Sequence, residues 1–235
     1  MFIDIHHHLI YGVDDGAQDF EGTQRLVEAA CADGIGYIIT TPHITPGQVP
    51  FPLEDYYAHL RETQDWCAAQ GYALQLYTGS EILYTSETPR LLREGQVPTL
   101  AGSRFALLEF SPTDPYSHIQ EAVRRVGSAG FVPVVAHAER YDAIRKIEQL
   151  NDLKDNFGAR IQINARTVIR KHSYFRGRWI RKIFDSGVVD YISTDAHDMP
   201  DRHACMMEAY HKLAQDYGEQ AAQNLTGGNA MEIFH

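Results

Sequence analysis

Short apolar runs alternate with longer amphipathic segments along this 235-residue chain. The runs are rich in Val, Ile, Leu and aromatic residues, and several are apolar almost throughout, which is typical of parallel strands buried on both faces. Repeated strand–helix units predict a parallel sheet, either open or closed into a barrel. The seven predicted strands are residues 2–5, 37–41, 74–79, 105–109, 131–136, 160–164 and 189–194.

The segments between the strands are predicted helices. Four of them end just before a glycine, which commonly stops a helix because it accepts a left-handed backbone. The predicted helices are 20–33, 53–70, 119–129, 179–186, about 202–217 and the last dozen residues. The Pro-rich segment 44–52 is predicted to be a loop at the rim of the site.

The bulk composition excludes several classes of protein. With 44% hydrophobic and 22% charged residues, the chain resembles a soluble protein with a real core, and its length predicts a single domain over residues 1–235. A net charge of −10 argues against nucleic acid or an anionic membrane as a partner. We find no signal peptide and no apolar run of membrane-spanning length. The three cysteines are predicted to be reduced thiols in the cytoplasm.

Residues that bind metals follow six of the seven predicted strands at their carboxyl ends, where active sites assemble in α/β barrels. Buried His and carboxylate groups packed together are costly without a compensating positive charge, which bound metal would supply. Five imidazoles and four carboxylates, without a thiolate, suit Mn, Fe or Zn in a hydrolytic site, and nine ligands predict two or three ions. The candidate ligands are His6, His8, Asp15, His43, Glu81, Glu109, His137, Asp195 and His197.

Six stretches resemble motifs of the PHP (polymerase and histidinol phosphatase) superfamily and, within it, the bacterial tyrosine phosphatases encoded at capsule and exopolysaccharide loci. They run across most of the chain in family order, and together they are specific where a single His-x-His would not be. The stretches are DIHHHLIYGVDDG at 4–16, TTPH at 40–43, GSEI at 79–82, LLEF at 107–110, AHAERY at 136–141 and STDAH at 193–197.

The resemblance implies a distorted (β/α)7 TIM-like barrel, the PHP fold, with Mn²⁺ as the activating ion. It also implies that Arg140 and Arg202 contact the substrate phosphate. The implied ligand sets are His6, His8, Glu81 and Asp195 for one ion, Glu81, Glu109 and His137 for a second, and Asp15, His43 and His197 for a third.

These features predict a metal-dependent protein tyrosine phosphatase in which a metal-activated hydroxide attacks phosphotyrosine directly. By resemblance, its partner is a bacterial tyrosine kinase that controls polysaccharide export. Three alternatives stay open: a phosphoesterase for a small molecule such as histidinol phosphate, an amidohydrolase, and an inactive barrel retained for binding. The metal ligands do not separate the phosphoesterases, because specificity lies in the loops. An amidohydrolase typically has eight strands and often a metal-bridging Lys on strand 4, where this chain has Glu109.

Cysteine-based phosphatase chemistry is excluded by spacing. It requires an Arg six positions after the nucleophilic Cys, and the three cysteines have Tyr37, Ala73 and His211 at that position. A nucleotide-binding P-loop is also absent from the sequence.

One basic segment stands out from the acidic chain. It is interpreted either as a solvated helix face or intersubunit surface, or as a docking site for an acidic phosphopeptide beside strand 6. Its cations are Arg166, Arg170, Lys171, Arg176, Arg178, Arg181 and Lys182.

Overall fold

The computed structural model describes residues 1–198 and 202–235. Within these ranges nine strands form a curled parallel sheet, and nine α-helices surround it. The strands are β1 (Phe2–His7), β2 (Ile35–Thr40), β3 (His43–Ile44), β4 (Gln75–Tyr77), β5 (Glu81–Leu83), β6 (Phe105–Glu109), β7 (Val132–Val135), β8 (Arg160–Asn164) and β9 (Tyr191–Ser193). The helices are α1 (Phe20–Ala32), α2 (Leu53–Gln70), α3 (Thr88–Arg93), α4 (Tyr116–Ser128), α5 (Ile147–Asp155), α6 (Ala165–Ile169), α7 (Tyr174–Asp185), α8 (Met206–Tyr217) and α9 (Glu219–Gln223).

The strands follow one another around a distorted barrel. β2 lies between β1 and β4, and a second sheet runs in the order β3, β5, β6, β7, β8, β9. Every one of these pairings is parallel. A bridge between His7 and Ala196 joins the end of β1 to the segment after β9, which closes the ring. The predicted barrel is therefore confirmed.

Two of the predicted strands, 37–41 and 74–79, are each followed after a break by a short strand that was not predicted, which explains nine strands where seven were predicted. The second strand stops at Thr40 and resumes at His43, and the third stops at Tyr77 and resumes at Glu81. Pro42 has no N–H to donate to a ladder, which favours a break there. At Gly79 a Cβ atom would lie 2.7 Å from Ile39 Cγ2, so only glycine allows the two breaks to pack together.

The Tyr56 hydroxyl on α2 bonds to both breaks. It lies 2.6 Å from Thr40 Oγ1 and accepts a hydrogen bond from the Gly79 N–H at 3.0 Å. The side chain is fully buried, and burial raises the pKa of its hydroxyl. Tyr56 thus satisfies polar groups that leave the strand ladder inside the core.

The core forms two layers because neighbouring strand residues face opposite sides of the sheet. Leu107 packs with Ile5 and Val134 in the interior of the barrel, whereas Leu108 packs in the outer layer with the helices. Ile233 near the chain end also joins the interior layer. Within the described ranges, no helix has both the length and the apolar character needed to cross a membrane.

Several predicted helices were wrong in their limits. The helix predicted at 202–217 begins at Met206, and the last dozen residues form π and 3₁₀ turns from Asn224 to Phe234 instead of an α-helix. These turns bury Ile233 in the barrel, so tertiary packing outweighs the helical pattern. The short helices α3, α5, α6 and α9 were not predicted, since five to nine residues carry little periodicity.

Candidate metal centre

The strand ends bring the nine candidate ligands to one rim of the barrel. His6 lies in β1 and Glu109 ends β6, whereas His43 and Glu81 begin β3 and β5 and face each other in register. Most of these side chains are buried, including His6, Glu81 and Asp195. His43 and Glu109 are half-buried, and Asp15 is exposed over 62% of its side chain.

The innermost group contains His6, His8, Glu81 and Asp195. The Nε2 atoms of His6 and His8 are 3.2 Å apart. Glu81 Oε2 lies 3.1 Å from the first of these nitrogens and 3.2 Å from the second. Asp195 Oδ1 lies 3.5 and 3.6 Å from the same two nitrogens. Four potential ligand atoms thus converge on one small volume.

Hydrogen bonds at the far side of each ring fix the tautomers of the two histidines. The N–H of His137 donates to Gln162 Oε1, which turns this amide oxygen toward His6 Nδ1 at 3.3 Å. On the other ring, His8 Nδ1 lies 2.6 Å from Asp14 Oδ2. In the neutral rings both Nδ1 atoms therefore donate, which leaves a lone pair on each Nε2.

Two facing lone pairs and a carboxylate oxygen repel one another unless a cation lies among them. Glu81 Oε2 makes no hydrogen bond to any described residue although it is buried. His197 repeats the pattern: its Nδ1 faces the Asp195 carbonyl at 3.0 Å, and its buried Nε2 also has no hydrogen bond within the described ranges. These donor atoms fit a divalent metal ion with nitrogen and oxygen ligands.

Two further groups extend the centre along the rim. Asp15 Oδ1 lies 3.4 Å from His43 Nε2 and 3.3 Å from His197 Nε2, and His8 completes that group. The other ring nitrogen of His43 lies 3.1 Å from Glu81 Oε2 and 3.5 Å from Glu109 Oε2. His43 therefore offers a different nitrogen to each group.

His137 lies beside the two glutamates, although the ligand atoms that converge with both of them are those of His43. Its Nε2 is 2.7 Å from Glu81 Oε1 and 3.6 Å from Glu109 Oε1, and its Nδ1 is 3.1 Å from the Tyr141 hydroxyl. The residue adopts φ +30°, and Asp195 adopts φ +53°. The backbone of a residue other than glycine rarely adopts this left-handed conformation, and such strain is typical of functional positions.

The charges of the cluster shift the pKa values of its members in opposite directions. Burial lowers the pKa of His6, but the carboxylates of Glu81 and Asp195 outweigh it and raise the pKa to about 9. Burial raises the pKa of Glu109, but hydrogen bonds from His137 and His43 outweigh it and lower the pKa to about 2. A cluster with this balance holds either protons or metal ions.

Both candidate phosphate-binding arginines contact Asp195. Arg140 Nη2 donates to Oδ2 of this carboxylate, and Arg202 Nη2 donates to Oδ1 at 3.0 Å. Asn164 Nδ2 donates to Oδ2 at 2.7 Å. The side chains of the two arginines are 40% and 36% exposed, so their remaining N–H groups are accessible to a ligand.

The sequence predictions missed the residues that orient the ligands. Asp14 and Gln162 set the tautomers of His8 and His6, and Tyr141 contacts His137. Asp4 accepts hydrogen bonds from the N–H and Oγ1 of Thr194, tying β1 to the segment that carries Asp195. Burial raises the pKa of Asp4 to about 6. The acidic pair at positions 14 and 15 was the one signal in the sequence that could have pointed to Asp14.

A distorted β/α barrel with His, Asp and Glu side chains clustered at its rim has the architecture of a metal-dependent hydrolase. Residues 2–235 match the family model described as capsular polysaccharide synthesis, CpsB/CapC. The chain therefore belongs to the CpsB/CapC family, which confirms the resemblance inferred from the motifs.

Individual relatives and solved structures agree with this assignment. The chain is 31% identical over 238 residues to the tyrosine-protein phosphatase CpsB of Streptococcus agalactiae, covering 99% of this chain and 98% of the relative. It is 26% identical over 232 residues to the tyrosine-protein phosphatase YwqE of Bacillus subtilis, covering 95% and 88%.

The fold matches a chain from the crystal structures of YwqE from Bacillus subtilis and CpsB from Streptococcus pneumoniae, described as metal-dependent tyrosine phosphatases. The TM-score is 0.89 at 24% identity, with coverage of 98% and 93%. Histidinol phosphate phosphatase from Lactococcus lactis shares the fold at a TM-score of 0.57 and 15% identity, with coverage of 94% and 93%.

Proposed function

We propose that this chain is a metal-dependent protein tyrosine phosphatase that acts as a single domain over residues 1–235. The observation that carries the proposal is the convergence of His6 Nε2, His8 Nε2 and Glu81 Oε2, which lie 3.1 to 3.2 Å from one another. Membership of the CpsB/CapC family and the names of its relatives support phosphotyrosine as the substrate.

We assign the nine rim residues as the ligands of two or three ions, with Mn²⁺ as the preferred ion and Fe or Zn as alternatives. When bound, such ions polarise phosphoryl oxygens and lower the pKa of a bound water to about 7. The protein's own contribution is to keep the ligand nitrogens unprotonated on the metal side, through Gln162 and Asp14.

Arg140 and Arg202 are the groups that bind the phosphoryl oxygens in this proposal. Their planar guanidinium groups suit phosphate geometry, and both are already held in place through Asp195. Because phosphate esters hydrolyse extremely slowly unaided, stabilising the charge on these oxygens must account for much of the rate.

The phosphoryl group passes directly to water in this scheme, since no cysteine is prepared as a nucleophile. Burial raises the pKa of Cys67 to about 11 and that of Cys205 to about 12, so both stay protonated thiols at neutral pH. The three free cysteines also support a reducing compartment, and we propose the cytoplasm.

The partner we propose is a bacterial tyrosine kinase that controls capsule or exopolysaccharide synthesis. The support is the family description, which concerns capsular polysaccharide synthesis. The net charge of −10 supports a protein substrate in preference to nucleic acid.

The test is phosphate release from a phosphotyrosine peptide and from histidinol phosphate, each with added Mn²⁺ and with EDTA. We expect Mn²⁺-dependent turnover of the peptide that the His6→Ala variant loses. The control is His211→Ala, which removes an exposed histidine on α8. Turnover of histidinol phosphate alone would retain the metal centre and refute the assigned substrate.

A further inference from the structure

A basic cavity adjoins the metal centre. It has a volume of about 450 Å³, and Arg140 and Asn164 form its wall on the side of the centre. Both residues donate to Asp195 Oδ2, so the cavity begins at a carboxylate of the innermost ligand group. A phosphate held by Arg140 would place the rest of its substrate at the mouth of this cavity.

Four further cations line the cavity: Arg166, Arg170, Lys171 and Arg176. Arg166 donates only to the carbonyl of His203, at 3.4 Å, and none of the four forms an ion pair with a residue in the described ranges. They belong to the segment 165–184, which carries seven of the chain's 21 Lys and Arg residues and no Asp or Glu. A chain with a net charge of −10 thus concentrates unpaired positive charge beside its reactive centre.

One carboxylate, that of Glu139, also faces the cavity. Its Oε1 accepts hydrogen bonds from Asn164 N–H and Thr167 Oγ1, at 3.2 and 2.8 Å. Its Oε2 is buried and makes no hydrogen bond with the described residues. Among the described residues, four cations without an ion pair stand against one carboxylate, and this balance leaves the cavity positive.

From this geometry we propose that the cavity binds acidic side chains next to the phosphotyrosine of a peptide substrate. The inference rests on the proposed phosphatase function and specifies its substrate class. A cavity of this volume is roughly 10 Å across, the length of about three residues of extended chain. Phe175, which is 82% exposed beside Arg176, adds an apolar edge of the kind that peptide-binding surfaces use.

The test compares two phosphotyrosine peptides of equal length, one with Glu at the two positions on each side and one with Gln there. The measured quantity is the ratio of their kcat/KM values. We expect the wild-type protein to prefer the acidic peptide roughly three- to tenfold, as the combined effect of a few partly exposed ion pairs. The preference should diminish at high ionic strength.

In the Arg170→Gln/Arg176→Gln variant the ratio of the two kcat/KM values should fall to about 1. The matched control is Arg178→Gln/Lys182→Gln, which removes the same charge from exposed positions on α7 that do not line the cavity, and it should keep the wild-type ratio. Equal turnover of both peptides by the wild-type protein would overturn the inference and leave the phosphatase proposal intact. Absence of turnover with every peptide would refute both. An unchanged ratio with an altered oligomeric state in the first variant would assign this face to contacts between copies instead.

Discussion

The substitution Asp14→Asn tests whether the orientation of the ligands decides metal affinity. Both carboxylate oxygens of Asp14 accept hydrogen bonds. Oδ1 accepts from the Gly16 N–H at 2.9 Å, and Oδ2 accepts from His8 Nδ1 at 2.6 Å and from the His43 N–H at 3.1 Å. An asparagine must turn its NH₂ group toward one of these positions, where it meets a donor.

Either orientation has a defined cost. With NH₂ toward Gly16, one backbone N–H loses its acceptor. With NH₂ toward His8, the imidazole must move its proton to Nε2, which blocks the lone pair that faces Glu81, and the His43 N–H still lacks an acceptor. A buried donor without a partner costs about 1–3 kcal/mol of stability, and loss of a group that orients a ligand lowers metal affinity roughly 10- to 100-fold.

The assay is equilibrium dialysis with metal analysis for Mn²⁺ affinity, together with urea unfolding of the metal-free protein. The control is Asp65→Asn, which removes the same charge from an exposed position on α2. Wild-type affinity and stability in the Asp14→Asn variant would refute the reasoning, because they would show that the hydrogen bond to His8 Nδ1 does not set its tautomer.

Three further predictions concern pH, the phosphate site and the strand breaks. In the metal-free fold the pKa values of His6 and His43 are raised to about 9, which stabilises that fold fully below about pH 6.5 and less as pH rises through 9. Since metal binds only neutral imidazole, the rise in Tm caused by Mn²⁺ should be larger at pH 9 than at pH 6, and an equal rise would contradict this assignment. Arg140→Lys should lower kcat/KM by about 10²–10³ in steady-state assays, because an ammonium lacks the planar fork, whereas the exposed Arg145→Lys should not. Tyr56→Phe should cost about 1–3 kcal/mol in urea unfolding by leaving the Gly79 N–H unpaired, and a cost no larger than that of Tyr57→Phe would count against its role at the breaks.

Much of the barrel could be predicted because its rules are local. Alternation of apolar runs and amphipathic segments specifies parallel strands, and parallel strands necessarily present their carboxyl ends at one edge. That is why residues as distant in sequence as His6 and Asp195 could be expected at one rim. In the folded chain His6 Nε2 lies 3.5 Å from Asp195 Oδ1. The helix limits and the chain end were less predictable, because Ile233 gains more from burial in the barrel than its segment gains from an α-helix.

The supporting contacts of the centre could not be predicted, because they depend on which side chains the folded chain brings together. Nothing near Gln162 in the sequence indicates that its amide would be oriented by the His137 N–H and would in turn orient His6. The basic segment shows the same limit: seven cations could be counted, but only the folded chain decides that Arg170 and Arg176 line a cavity while Arg178 does not.

The sequence by itself determined the class of fold and the residue types at the rim, since both follow from periodicity and from the geometry of parallel strands. Only the tertiary structure decided the breaks at Pro42 and Gly79, the protonated nitrogen of each buried imidazole and the place of the unpaired cations. Those properties depend on contacts between residues that are far apart in the chain. A hydrogen bond or an ion pair between such residues forms only if the backbone places both partners within about 3 Å of each other.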